Sequence, residues 1–326
     1  MTLATVRRLV LLLPCLAALA GCIRVSVRRG GDAPWAAPGP EYTRGDTVER
    51  FAPGVVSTGT EFASAFTRDG RTVFFTRTNQ DRSRLTLMRS RLVGGTWSAP
   101  EAVPLGPIVR AMDPHVAPDG RRLFFTAPRR AEAGAITEPG GDWDSWVAEL
   151  ADDGTTGAYR RLEGPFNTER VEMYTSVTRS GALYYGTAPL PGSADTTWRG
   201  VWRADLSAGG ATRRLEGAVN LPGFEGGNPY DTPDERVLIF GSGRPGGSGR
   251  GDLWMSVREA DGRWGDPVNL GPAVNGPEVE FCPQLSPDGR YLFFSRIHYR
   301  GEERIGNDVY VIRVSSVPAL ARALGR

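Results

Sequence analysis

The sequence predicts an all-β ring: five four-stranded antiparallel blades forming a β-propeller, with an N-terminal strand completing the last blade. Three observations predict it. One turn-plus-strand pattern recurs five times, at intervals of roughly 50–60 residues, a period typical of propeller blades or solenoid units. Short β-prone runs alternate with Gly, Pro and Asp turns, and no helical period appears. The last repeat also stops one strand short, and a spare strand stands before the first.

The repeats are Thr67-Arg-Asp-Gly-Arg-Thr-Val-Phe-Phe-Thr76, Ala117-Pro-Asp-Gly-Arg-Arg-Leu-Phe-Phe-Thr126, Thr178-Arg-Ser-Gly-Ala-Leu-Tyr-Tyr-Gly186, Thr232-Pro-Asp-Glu-Arg-Val-Leu-Ile-Phe-Gly241 and Ser286-Pro-Asp-Gly-Arg-Tyr-Leu-Phe-Phe-Ser295. Pro presets φ, Asp bonds its own backbone and Gly supplies φ > 0, so each core is hairpin punctuation. The apolar run that follows is a buried strand. Third strands are expected at Leu85–Arg89, Trp146–Leu150, Val201–Ala204, Leu253–Val257 and Val309–Val314. A fourth is announced by a turn and then Trp97-Ser-Ala-Pro100 or Trp264-Gly-Asp-Pro267. The segment Glu49–Pro53 supplies the strand that the fifth unit lacks, which hides two sheet edges. Six blades would need a degenerate unit that no remaining stretch provides. Val317–Leu324 reads as a short helix.

The ends carry a different message. Arg7 and Arg8 precede an apolar run, Leu9 to Ala20. It is shorter than the roughly 20 residues of a spanning helix, so it reads as a cleaved secretory signal. Leu19-Ala20-Gly21-Cys22 resembles the lipobox of bacterial lipoproteins. That resemblance implies a lipidated Cys22 and attachment to a membrane, with Ile23 favouring the outer one. The expected organisation is a signal at 1–21, a flexible tether at 22–47, the propeller at 48–314 and a tail at 315–326. With Cys15 in the signal and Cys22 lipidated, Cys282 is left as a small buried thiol without a disulfide partner.

The second half of the repeat set carries a further resemblance. Gly249-Arg-Gly-Asp-Leu-Trp-Met-Ser256, Gly262-Arg-Trp-Gly-Asp-Pro-Val-Asn-Leu-Gly271 and Glu280-Phe-Cys-Pro-Gln-Leu-Ser-Pro-Asp-Gly289 resemble TolB-like, or WD-repeat-like, propeller repeats. The resemblance spans roughly residues 49 to 314. It implies a fold and not a role, because such repeats serve many functions. TolB's separate α/β domain has no counterpart before the repeats, so TolB's own role is not implied.

Composition narrows the chemistry. The chain has 39 basic and 37 acidic residues, and every basic one is arginine. Two arginines lie in the signal, so the body is near neutral, against nucleic-acid binding. Lysine chemistry is absent. Gly-x-Ser-x-Gly, Cys-x-x-Cys and His-Glu-x-x-His do not occur, so no nucleophile elbow, metal motif or cofactor is expected. The glycine-rich stretch Gly241–Gly251 reads as a loop. The turn aspartates Asp69, Asp119, Asp234 and Asp288 read as structural, Trp97 and Trp264 as packing residues, and His298 as a solvated loop residue.

Aligning the repeats exposes the innermost strands. One column reads Glu61, Ala111, Glu172, Gly226, Glu280; two residues on it reads Ala63, Asp113, Tyr174, Asn228, Cys282; two further on, Ala65, His115, Ser176, Tyr230, Gln284. Period-two alternation would put these on one face. The polar members Glu61, Asp113, His115, Glu172, Asn228, Tyr230, Glu280 and Gln284 are therefore the candidate ligand site at one channel mouth. The expected function is a membrane-tethered scaffold that binds an envelope protein, peptide or glycan. The alternative is a glycosidase using the three glutamates, since inverting hydrolysis needs two carboxyls at suitable separation.

Overall fold

The computed structural model describes residues 35–43, 45–79, 81–130, 142–189, 199–206 and 210–326. The expected signal segment, Cys22 and the first part of the expected tether lie outside the described residues. Among the described residues no helix is long and apolar enough to cross a membrane.

The described strands form mainly antiparallel sheets that divide along the chain into five repeat units, the second and third joined in one sheet by a parallel contact between Trp143 and Val171. The first holds Glu61–Phe66, Thr72–Thr78 and Leu85–Val93, with Thr96–Trp97 and Glu101–Ala102 sharing the outer edge. The second holds Met112–Val116, Arg122–Pro128, Trp143–Leu150 and Thr156–Arg161. The third holds Val171–Val177, Ala182–Ala188, Gly200–Asp205 and Arg213–Arg214. The fourth holds Gly227–Asp231, Val237–Ser242, Asp252–Val257 and Val268–Asn269. The fifth is Val279–Leu285, Tyr291–Arg300 and Glu303–Arg313, completed by Glu49–Arg50. In that last pairing Glu49 faces Val311 and Arg50 faces Tyr310. The first strands of successive units lie side by side, and the fifth returns to the first.

The Phe-Phe runs explain how the units pack. Adjacent strand residues point to opposite faces. Each second strand has a neighbouring unit on both faces, so both must be apolar. Phe74 joins Leu123, Phe125 and Trp146 in the seam between the first and second units. Phe75, its neighbour, joins Phe293 and Val311 in the seam between the fifth and the first. Phe124 and Leu183 fill the seam between the second and third units, and Tyr184 and Phe240 the seam between the third and fourth. Ile239 and Phe294 fill the seam between the fourth and fifth, where the helix Pro318–Leu324 docks through Leu320.

The turns behave as their sequence requires. Asp69 accepts from Arg71 N–H at 3.0 Å, Asp119 from Arg121 at 2.9 Å and Asp288 from Arg290 at 3.1 Å. Asp234 accepts from the Thr232 hydroxyl at 2.7 Å. Gly241 ends in the strand Val237–Ser242, and the glycines after it form the loop leading to Asp252. Trp97 packs on Phe51 at 5.4 Å and Trp264 on Tyr184 at 6.2 Å between ring centroids.

Two expectations are corrected. The tether is not free along its whole length: residues 35–43 form a strap on the ring. Ala36 N–H donates to Pro287 O at 2.8 Å, Gly39 N–H to Asp288 at 2.8 Å and the Tyr42 hydroxyl to Gly70 O at 2.9 Å. Polar and proline-rich composition hid Trp35 and Tyr42, whose rings gain burial against the turns. His298 is not in a solvated loop. It lies within the long strand Tyr291–Arg300, bonded to Glu278 at 3.0 Å and Asp308 at 3.2 Å.

Candidate functional site

The innermost strands do not keep simple alternation. Ala63, Asp113, Tyr174, Asn228 and Cys282 all have φ between 48° and 55°. These are one column of the repeat, and none is glycine. At each the ladder slips by one residue: Phe62 pairs with Thr76 but Ser64 with Phe75, and Phe281 pairs with Ser295 but Gln284 with Phe293. This is a β-bulge repeated in every unit. An extra residue sends everything after it to the other face. Part of the strain is offset by bonds between units. Ala63 N–H donates to the Ser295 hydroxyl at 2.9 Å, and Asp113 N–H to the Thr76 hydroxyl at 3.0 Å.

The candidate residues therefore do not converge at one mouth, as strict alternation requires. Glu61, Glu172 and Glu280 sit where the inner strands begin. Asp113 and Asn228 occupy bulges midway, in the column of Tyr174 and Cys282. His115, Tyr230 and Gln284 gather at the opposite end, in a small pocket ringed by Arg68, Pro118, Arg179, Pro233 and Pro287 and shared with Trp35 of the strap.

The three glutamates are buried and mostly engaged. Glu61 accepts from Thr58 N–H at 2.7 Å, from the Thr58 hydroxyl at 2.6 Å and from Arg77 Nε at 2.7 Å. Glu280 repeats this with Gly276 N–H at 3.1 Å and Arg296 Nε at 2.7 Å. Each arginine also reaches a carbonyl of the preceding loop: Arg77 reaches Val55 O at 3.1 Å, and Arg296 reaches Val274 O at 2.9 Å. These are clamps that hold the entry loop against the second strand. Glu172 has the loop contacts, from Thr168 N–H and hydroxyl, but Thr187 stands where the arginine would be. Burial, with help from Asp144 and Asp142, pushes its carboxyl up to about 7.

Two contacts cross the centre of the ring. Tyr174, of the third unit, donates its hydroxyl to Pro283 O of the fifth at 2.6 Å. His115, of the second, meets Gln284 of the fifth at 3.4 Å, and its Nε2 accepts from Val177 N–H at 3.0 Å. Both pairs join units that are not neighbours in the ring. Asp113 is buried here, and desolvation pushes its carboxyl up to about 7 against the pull of Arg82. Cys282 is a buried free thiol in the same apolar cluster. Among the described residues no group of His, Cys, Asp and Glu is placed to hold a metal.

The chain has two histidines, and they are shifted in opposite directions. Burial pushes His115 down to about 4, while Asp308, then Glu278, raises His298. His298 stabilises the fold below its unfolded pKa, near 6.5, and that contribution is lost as pH rises through its folded value. His115 does the reverse: its contribution is full above about 6.5 and is lost as pH falls toward its folded value. An NMR titration is expected to show one imidazole changing above about 6.5 and the other silent until far more acid. Two signals titrating together near 6.5 would contradict this packing.

A recurring asparagine escaped the reading of the sequence. Asn220 accepts from Val201 N–H at 2.8 Å and donates to Val201 O at 2.9 Å and Leu215 O at 2.8 Å. Asn167 does the same at Ser145 and Leu162, and Asn275 holds both backbone groups of Leu253. Each lies shortly before an inner strand. A Phe-Asn or Val-Asn step at 167, 220 and 275 was the available signal.

No family model and no curated protein matches the chain. Solved structures do. TolB from Acinetobacter baumannii is 16% identical over 78% of this chain, with a TM-score of 0.45, and this chain spans 54% of that one, about half its length. A putative TolB from Agrobacterium tumefaciens is 15% identical, covering 79% of this chain and 91% of that one, with a TM-score of 0.47. A thermostable family-43 glycoside hydrolase is 11% identical, covering 80% and 92%, with a TM-score of 0.51. At such identities a likeness concerns fold alone. With the pairing of its own strands, the likeness to the glycoside hydrolase makes this chain a β-propeller, the fold expected from its repeats.

Proposed function

We propose that this chain is a binding scaffold of the cell envelope, tethered to a membrane through lipidated Cys22, whose propeller holds a protein, peptide or glycan partner. The observation that supports it is the state of the mouth glutamates. Glu61 and Glu280 are each tied to an arginine, Arg77 and Arg296, which holds them in the wall of the ring. A rigid ring of bonded seams suits presentation of a surface, since little ordering is needed on binding.

The second reading, a glycoside-cleaving enzyme, draws on one observation. Glu172 lacks an arginine, holds its proton up to about 7 and lies near Asp142 and Asp144. A protonated carboxyl beside other carboxyls is what general acid catalysis requires.

One set of assays on the full chain separates the readings. Under the scaffold reading, arabino- and xylo-oligosaccharides are not hydrolysed, and a discrete partner is retained from solubilised envelopes. The Cys22→Ser variant is expected to leave the membrane fraction. Turnover that is abolished in Glu172→Gln would establish the enzyme instead.

A further inference from the structure

A second cavity, of about 260 Å³, opens between the first and fifth units, at the end where the inner strands begin. Its lining includes Thr58, Thr60, Thr78, Asn79, Arg82 and Arg304. Most of the polar groups are already committed. The Thr58 and Thr60 hydroxyls serve Glu61, the Thr78 hydroxyl donates to Arg84 O at 2.8 Å, and Asn79 bonds Ser83 and Arg84. The two guanidiniums are different. Neither forms an ion pair with a carboxylate among the described residues; Arg304 donates to the Asn307 amide oxygen, and Arg82 lies over the Phe62 ring at 4.9 Å.

The nearby acids are turned elsewhere. Asp308 accepts from Gly59 N–H at 2.9 Å and meets His298, and Asp81 accepts from Ser83 N–H at 3.0 Å. Asp113 is buried below. Both arginines are half-buried. Burial, and then the charge of Arg82, lowers the pKa of Arg304. Two cations that disfavour each other are thus held at one cavity. Arg82 is also left-handed, at φ 58°, with its N–H on Asn79 O at 3.0 Å. Non-glycine residues in that region are strained and cluster at ligand clamps. A guanidinium offers a planar fork of donors, which matches the paired oxygens of a carboxylate or phosphate.

We propose that this cavity is an oxyanion site in which Arg82 and Arg304 grip a carboxylate or phosphate group of the ligand. The proposal rests on the scaffold reading and specifies the chemistry of what is bound.

The test titrates the full chain with citrate and, separately, with inorganic phosphate, at ionic strength matched with chloride, and reads calorimetry and the unfolding midpoint. At least one anion is expected to saturate, and the tighter identifies the kind of group. Arg82→Gln and Arg304→Gln are each expected to weaken binding at least tenfold. Arg82→Lys, which keeps charge and loses the fork, recovers part of it. Arg263→Gln, at an exposed side chain paired with Asp261, leaves it unchanged. Circular dichroism checks that each variant is folded, and the lysine variant stands in where a glutamine variant is not. Failure to saturate, or equal affinity in the double glutamine variant, overturns the site. Saturation at the arginines with no partner from envelope extracts defeats the scaffold reading alone. Partner retention that survives loss of both arginines defeats the oxyanion site alone.

Discussion

Replacing Phe51 with alanine is expected to destabilise the protein by about 3–5 kcal/mol, the usual cost of truncating a buried phenylalanine. Phe51 is 1% exposed and follows the short strand Glu49–Arg50 that completes the fifth unit. Its N–H donates to Val309 O at 2.8 Å. Its ring meets Phe293 of the fifth unit at 5.1 Å and Phe66 of the first at 5.7 Å. One side chain therefore joins the two ends of the repeat array. Its removal leaves a cavity in the seam that shuts the ring, so the loss is expected toward the upper end of that range. Urea unfolding of the full chain measures it. A change below about 1 kcal/mol would mean that the N-terminal strand contributes little to closure.

Asn220→Ala is expected to cost about 2–4 kcal/mol, although it removes little apolar surface. The side chain is 3% exposed and serves three backbone groups. Alanine would leave one N–H and two carbonyls without partners, at about 1–3 kcal/mol for each buried group that water cannot reach. Some relaxation and water entry bring the total below the sum. Asn220→Asp is informative because it keeps the acceptor for Val201 N–H and loses both donated bonds. It is expected to be as damaging as alanine, since a carboxylate would face two carbonyls. If both variants unfold with the parent, the asparagine is not a structural clamp.

Much of the architecture was legible because it is periodic. The Asp-Gly turns and the apolar runs after them recur with the unit, and both faces of each second strand are apolar for a stated reason. The closing strand at Glu49 could be placed by counting strands. The site was legible only in part. Reading Glu61, Ala63 and Ala65 as one face assumed unbroken alternation. Pro114, Pro229 and Pro283, each inside an inner strand, were the warning, since proline in a central strand marks a bulge. Arg82 and Arg304 were not found, because one lies in a connection of the first unit and the other at the start of a strand of the fifth, and they share a cavity only when the ring closes. The same holds for Asn167, Asn220 and Asn275, which bond backbone rather than other side chains and so leave no paired signature.

The bonds from Tyr174 to Pro283 and from His115 to Gln284 have a consequence for what the two ends of the ring can hold. They cross the axis at two depths, in a centre packed with buried side chains. They brace opposite sides of the ring, and the pocket beside His115 and the cavity beside Arg82 have no lining residue in common. A molecule held in one would share no contact residue with a molecule held in the other, so any coupling between them would pass through a shift of the protein itself.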